Sequence, residues 1–433
     1  MSWSQYSWRV QKGHDRRIRA GHPWVFSNEL TKSPKGHPVG HPVELLDDKG
    51  NFLACGYGNP NSLISFRALS FDPVSMEPQE FLLQKLLYAW KKRVHLGLKN
   101  SFRMCFSEND SLSGLMVDYY VVDQNNQKGQ VFAIQISTAG MDYLLKDILP
   151  FFKKFVEEAL DQRLTDIPWS HTSIVLKNDI QIRKLEGLEV EDARVIQQSE
   201  FFKLDEIDIL ITTPIDQSSI KMSTDLIDGQ KTGFFLDQTR NIEVVLGQLN
   251  KIFKGPSSPK KLRILDLCCY VGHWSAQLAH FCKINNVEPE ITAVDISPKA
   301  LASASKNISR LTQNFKTVEL DVIDKLDSMT EKFDIVICDP PALIKNKKSI
   351  PTGQHAYMKL NTNAMNLLEK NGLYVSCSCS GLLEKTDLLS ILRKAQTRSK
   401  KSLQIISEGG HAADHPHLAS FPEGFYLKML LFA

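Results

Sequence analysis

Cysteine pairs at metal-binding spacing, long apolar runs and a strong net charge are all missing from this 433-residue chain. Each absence excludes something. The eight cysteines (55, 105, 268, 269, 282, 338, 377 and 379) include no CxxC and follow no regular spacing. That excludes a zinc ribbon or a thioredoxin-type pair, and a disulfide framework belongs to far shorter secreted chains. The thiols are read as reduced, and no metal site is expected. No stretch reaches the ~18 uninterrupted apolar residues of a membrane span. The opening "MSWSQYSWRVQKGHDRR" lacks a signal peptide's apolar core, which predicts a cytoplasmic protein with no membrane partner. A net charge of only +3 excludes a polycation. With 42% hydrophobic residues the chain can fill proper cores, and its length predicts two or three domains.

The charge that is present is unevenly placed. Residues 1–36 hold seven Lys or Arg against two acids, with Trp3, Tyr6, Trp8, Trp24 and Phe26 interleaved. Cations neutralise phosphates and aromatic faces stack on bases, so Lys12, Arg16, Arg17 and Trp24 are candidate contacts to single-stranded or irregular RNA. A solvated basic face over a few core aromatics would look the same. Turn signals such as "SPKGHPVGHP" and "DDKGN" separate short strands, predicting a small β-barrel over residues 1–73. "EFLLQKLLYAWKKRVHLGL" and "YLLKDILPFFKKFVEEAL" have helical periodicity, and "LMVDYYVVDQNNQKGQVFAIQIS" reads as a hairpin. With "TSIVLKNDIQIRKLEG" returning to strand, they predict a middle α+β domain over 74–187. From 188 to 433, apolar strands ("RILDLCC", "ITAVDIS", "TVELDV", "FDIVICDPP", "GLYVSCSCS") alternate with helices. That pattern predicts an α/β domain with a mainly parallel sheet, whose ligands bind beyond the carboxyl ends of the strands.

The informative residues stand at those ends. In "ILDLCCYVGHWSAQ", Asp266 closes a strand while Tyr270 and Gly272 occupy the turn into a helix. Glycine lets backbone approach a ligand there, and the helix start favours an acidic ligand group. Asp295 and Ile296 follow the next strand in "AVDIS", and a third strand is expected to end at Asp321, followed by Val322, in "ELDVID". One such aspartate commonly just caps a helix; three in successive units form a pattern. A dinucleotide would call for G-x-G-x-x-G, and this loop has only Gly272. S-adenosylmethionine has no phosphate, and its ammonium and ribose groups pair with acids, so it fits better.

"ICDPPALIK" places Asp339 before two prolines. Enzymes that methylate exocyclic amines carry an aromatic after such prolines, where this chain has Ala342. Asp339 is instead suited to the Watson–Crick edge of a cytosine, supplying a proton at N3. Carbon 5 of a pyrimidine attacks a methylsulfonium only after a thiolate has added at carbon 6. "GLYVSCSCSG" offers Cys377 and Cys379, which strand alternation puts on one face. Cys379, where "SG" opens the loop, is the candidate nucleophile. Cys377 and Cys338 are expected in the core, and Cys268 and Cys269 in core and loop lining.

"GHPWVFSNEL", "QKTGFFLDQTRN", "ILDLCCYVGHWS", "DPP", "YMKLNTNA", "SCSGL" and "AADHPHLASFPEGFYLK" are carried by this chain. Together they resemble the bacterial large-subunit (23S) ribosomal RNA cytosine-C5 methyltransferases with an N-terminal PUA domain. The resemblance covers essentially the whole chain. It implies a class I (Rossmann-like) methyltransferase sheet after a PUA-like barrel, S-adenosylmethionine as cofactor, ribosomal RNA as partner, and a homodimer. It places the nucleophile at Cys379, seven residues after Gly372. Asp237 and Gln238 in "FFLDQ" are expected to shape the site. The chain departs from the family at Val271 and His273, in a loop that usually reads Y-T-G-G-F, and at Ala342, where lysine is usual. A histidine at 273 is expected to crowd the methionine end of the cofactor. Two rivals stand beside this reading. One is an RNA guanine-N2 or adenine-N6 amine methyltransferase, favoured by "DPP". The other is a non-catalytic RNA-binding assembly factor whose cofactor site has decayed at His273.

Overall fold

Residues 3–124, 127–204, 207–253 and 259–433 are described by a computed structural model. The chain forms two compact units. One comprises Met1–Leu210, Asp225–Phe234 and Ala413–Gly424; the other comprises Ile211–Thr224, Phe235–Ala412 and Phe425–Ala433. Residues 188–210, placed by their sequence with the third domain, therefore group with the first unit, as do 225–234 and 413–424. No helix among the described residues is long and apolar enough to cross a membrane.

In the first unit, Ser7–Arg9, Pro42–Leu46, Phe52–Gly58, Ile64–Ser70 and Trp24–Phe26 form, in that spatial order, a five-stranded sheet. Its two edges meet through an antiparallel bridge between Val10 and Leu30. Gln11 N also donates to Glu29 O and Thr31 N to Arg9 O, both at 2.8 Å. Pairing the edges in this way leaves fewer backbone groups open, which is the barrel-like closure expected from the turn spacing. Val10, Ile18, Val25, Val43, Leu45 and Phe66 fill the interior.

The same unit carries a mixed sheet centred on the hairpin Leu115–Gln124 and Gln127–Ile136, whose turn at 125–126 lies outside the described residues. Helices Pro78–His95 and Ile148–Asp161 bury Trp90, Phe152 and Phe155 in the core over it. The strand Thr172–Leu176 stops earlier than its sequence suggests, and Gln181–Glu186 is a 3-10 helix. Asn178 Oδ1 accepts from Ile136 N at 3.0 Å, taking the donor that a longer strand would have used. The segment 413–424 is tied in by buried donors. Arg93, bidentate on Asp110 at 2.7 Å, also donates to the Asp414 carbonyl at 2.9 Å. Arg103 N donates to Asp414 Oδ2 at 2.8 Å. Each such donor left unmet would cost ~1–3 kcal/mol, which gives the "DHPH" stretch a structural reason.

The second unit follows the strand–helix alternation of its sequence. Its elements are Thr239–Phe253 (α1), Lys261–Leu267 (β1), His273–Ile284 (α2), Glu288–Asp295 (β2), Pro298–Ser309 (α3) and Phe315–Glu319 (β3). Then come Phe333–Cys338 (β4), Ile350–Asn366 (α4), Leu368–Ser378 (β5), Lys385–Ser399 (α5), Ile405–Gly409 (β6) and Lys428–Phe432 (β7). The sheet order is β3-β2-β1-β4-β5-β7-β6, and β7 is antiparallel to both neighbours. Reversal of strand order beside β1 creates the crevice where open α/β sheets bind ligands.

Alternation sorts the strand residues onto two cores. Ile264, Ile335, Ile337, Val375, Cys377 and Met429 pack with α1, α2 and α3. Leu265, Val336, Cys338, Tyr374 and Leu430 pack with α4 and α5. The third strand ends at Glu319, not at Asp321; Asp321 is the N-cap of a short helix, Val322–Lys325.

Candidate active site

The loop after β1 is built on unusual backbone. Cys268 (φ 62°), Tyr270 (φ 48°) and Gly272 (φ 80°) are all left-handed. Non-glycine residues in that region cost free energy and cluster at functional sites. Gly272 is required twice over, because a Cβ there would also lie 3.2 Å from Ala304 Cα and Cβ. Surrounding groups hold the loop in place. Cys269 N donates to Val294 O at 3.0 Å, and Asn307 on α3 donates to Val271 O at 2.9 Å.

Asp266 is fully buried, and its Oδ2 accepts from Ser275 N at 3.2 Å and Ser275 Oγ at 2.7 Å. Its Oδ1 has no partner among the described residues. Burial pushes the carboxyl up to about 6. A buried carboxylate oxygen with no donor can accept a cation, and an ammonium group such as that of S-adenosylmethionine would supply one. The residues therefore fit that cofactor.

Asp295 stands at the end of β2. It accepts from Tyr270 N and from Ser297 N, both at 2.9 Å, so its carboxylate braces the β1 loop as well as the turn into α3. Ile296 beside it is 62% exposed. Asp321 accepts from Ile323 N at 2.9 Å, and Val322 packs into the α4 side of the sheet. His273 is buried next to the Phe235 backbone, and burial pulls it down to about 4, so it is neutral at physiological pH.

Beyond β4, Asp339 Oδ1 accepts from Gln238 Nε2 at 2.9 Å and Oδ2 from Trp274 Nε1 at 3.1 Å. Asn241 donates to Gln238 Oε1 at 2.6 Å, continuing the chain into α1. Asp237 accepts from Tyr426 Oη at 2.6 Å. Trp274 links the first-strand helix to the "DPP" loop. Nothing in the sequence marks its indole N–H as directed at a strand-end acid, because a tryptophan in an apolar helix reads as core.

The serines of "SCSCSG" explain how the end of β5 is fixed. Ser376 Oγ donates to Asn361 Oδ1 at 2.7 Å and Ser378 Oγ to Tyr357 Oη at 3.0 Å, while Ser380 Oγ lies 3.0 Å from the same phenol. Tyr357 and Asn361 are one helical turn apart on α4, so they line one face and hold the serine face of the strand. The cysteines take the opposite face. Cys377 is fully buried, and burial pushes its thiol well above the ordinary range. Cys379, just past the strand, is partly exposed, with Sγ 3.9 Å from Pro340 O. Exposure separates two cysteines that spacing could not.

The expected RNA contacts lie in the first unit. Lys12, Arg16 and Arg17 are exposed. Arg17 also lies over the Phe26 ring at 5.5 Å and 2.8 Å from His22 Nε2. Trp24 is engaged inside the unit: its Nε1 donates to Glu108 at 2.9 Å and its ring packs edge-on against Phe421.

Residues 9–71 match a PUA-like domain and 258–416 a methyltransferase domain. Ribosomal RNA large subunit methyltransferase I of Photobacterium profundum is 30% identical over 96% of each chain. The protein of the same name from Escherichia coli K12 is 27% identical over 97% of each. A solved structure described as methyltransferase SMU.776 complexed with SAH superposes with a TM-score of 0.73 at 19% identity, covering 99% of this chain and 100% of that one. The chain belongs to the ribosomal RNA large subunit methyltransferase I family of S-adenosylmethionine-dependent methyltransferases.

Proposed function

We propose that this protein methylates carbon 5 of a cytosine in large-subunit ribosomal RNA, with Cys379 as the nucleophile. The observation that carries this is the placement of Cys379: partly exposed, at the carboxyl end of β5, against the Pro340 carbonyl of the "DPP" loop. When bound, S-adenosylmethionine supplies an electrophilic methyl group. Asp266 would hold its ammonium group, Gly272 and Tyr270 would line the turn, and Asp295 and Asp321 would face its ribose and base sides.

The Cys379 thiolate adds to carbon 6 of the cytosine, and Asp339 hydrogen-bonds the Watson–Crick edge and supplies the proton at N3. Carbon 5 becomes an enamine carbon and takes the methyl group. Solvent takes the carbon-5 proton, N3 returns its proton to Asp339, and departure of the Cys379 thiolate restores the aromatic ring. Gln238 and Trp274 fix the plane of the Asp339 carboxyl during these steps. Incubation of ribosomal RNA with the protein and methyl-labelled cofactor, followed by nucleoside analysis, tests the proposal. The label is expected in 5-methylcytidine; label in N-methylated guanosine or adenosine would transfer the site to amine chemistry.

Cofactor affinity should depend on the β1 loop more than on the nucleophile. Asp295→Ala removes the acceptor for Tyr270 N, and it should weaken S-adenosylmethionine binding by about 1.5–3 kcal/mol, as for hydrogen bonds to a charged group. Calorimetric titration reads this directly, and an unchanged affinity would reduce Asp295 to a cap. RNA affinity should instead follow the first unit. Alanine at both Arg16 and Arg17 is expected to lower the salt slope of RNA binding by roughly 0.7 for each single-strand phosphate no longer neutralised. Cofactor affinity should stay unchanged, and an unaltered slope would mean these arginines serve only the fold.

A further inference from the structure

Lys428, the first residue of β7, is a charged side chain to which none of the chemistry above gives a task. It pairs in register with Ser378, one residue before Cys379. It is 4% exposed, and its Nζ donates to the carbonyls of Ser380 and Leu383, both at 2.7 Å. These carbonyls belong to the loop that carries Cys379 away from the strand. A lysine is seldom buried without a reason, because removing an ammonium from water is costly. Here two carbonyl dipoles partly offset that cost, and they hold the ammonium against the loop that begins at Cys379.

Among the described residues, ionisable groups near Cys379 come from several elements. α4 contributes Tyr357, β5 contributes Cys377, β7 contributes Lys428, and Asp339 precedes the proline whose carbonyl faces the sulfur. Of these four only Lys428 carries positive charge. Tyr357 and Cys377 are both pushed up by burial and stay neutral. We propose that Lys428 is the positioning residue for the nucleophile: its ammonium favours the Cys379 thiolate and its two hydrogen bonds fix the loop bearing it. Burial pulls Lys428 down and the Cys379 charge offsets part of that fall, which leaves it at about 8, so most of the lysine is cationic at neutral pH. A thiolate, not a thiol, is what adds to carbon 6, and a cation beside it increases its fraction.

This inference rests on Cys379 being the nucleophile, but its test does not use methyl transfer. The rate of iodoacetamide alkylation at Cys379, located by peptide mass mapping, is measured against pH for the parent, Lys428→Met and Lys428→Arg, with Cys379→Ser as background. Lys428→Met is expected to move the alkylation midpoint up by at least one pH unit, about a tenfold loss of thiolate at neutral pH. Lys428→Arg, which keeps the charge, should remain near the parent. Superimposed profiles for Met and parent would overturn the proposal, as would an Arg variant displaced as far as Met, which would mark a role in loop shape alone. Where Lys428→Met fails to fold, Lys428→Gln removes the charge while keeping an amide donor, and the same criterion applies. An alkylation shift without any 5-methylcytidine product would leave the lysine–thiolate coupling standing and overturn only the cytosine chemistry.

Discussion

Cys379→Ser should abolish turnover, with a loss of about 10⁴-fold or more, the scale seen when a nucleophile is removed from a working catalytic unit. The sharper form of this result uses RNA carrying 5-fluorocytosine at the target. Fluorine cannot leave carbon 5 as a proton does, so the ring cannot regain aromaticity and the sulfur stays bonded to carbon 6. The parent should then form a denaturation-resistant protein–RNA adduct that requires S-adenosylmethionine, and Cys379→Ser should form none. Cys377→Ser should keep most of its activity, because Cys377 faces Val375 and Met429 in the α1–α3 core. Its cost falls on stability, about 1–3 kcal/mol for a hydroxyl placed among apolar neighbours. A dead Cys377→Ser variant together with an adduct-forming Cys379→Ser would falsify the assignment of the nucleophile. Full activity in both would remove thiolate addition altogether and leave amine methylation.

Asp266→Asn should separate stability from function in opposite directions. In the protein without cofactor, Asp266 is a buried acid at about 6, raised from an ordinary 3.8 by burial. Because the folded pKa lies above the unfolded one, the folded state holds the proton between about pH 4 and 6. The protonated group's contribution is complete below pH 4 and is lost as pH rises through 6. At pH 7.5 the ionised buried group costs about 3 kcal/mol, by conversion of a shift of about two units. An amide escapes that cost, although its new N–H group at the Oδ1 position also lacks a partner, at ~1–3 kcal/mol. The net expectation is an apoprotein more stable by up to about 2 kcal/mol, whose stability no longer falls between pH 4 and 6. The thermal shift given by S-adenosylmethionine should disappear, since no carboxylate remains for its ammonium. Thermal melts across pH, with and without cofactor, read both effects. A destabilised apoprotein that keeps its cofactor shift would show that Asp266 serves only to hold Ser275.

Much of this is legible in the sequence because it rests on local chemistry. Alternating apolar strands and helices specify a parallel α/β sheet through the period of the pattern. A single glycine with no second glycine behind it disfavours a pyrophosphate and leaves a tight turn. The "DPP" tripeptide fixes an acid at a strand end. Each of these signals depends on residues adjacent in the chain.

What the tertiary structure decided concerns burial and pairing between segments remote in sequence. Cys377 and Cys379 share a face by alternation, and only the packing of Met429 and the α1–α3 core over the first, with the strand ending before the second, distinguishes them. Asp321 looks like the third member of a strand-end series, yet β3 ends two residues earlier and the carboxylate caps the next helix. Trp24, an aromatic amid cations, is held by Glu108, 84 residues away. Lys428 reads as an ordinary lysine ahead of an apolar strand. It acquires its position because β7 inserts antiparallel between β5 and β6, which sets it opposite Ser378. Period and turn chemistry belong to a short stretch of chain, whereas solvent exclusion and electrostatic pairing depend on which distant stretch comes to lie against it.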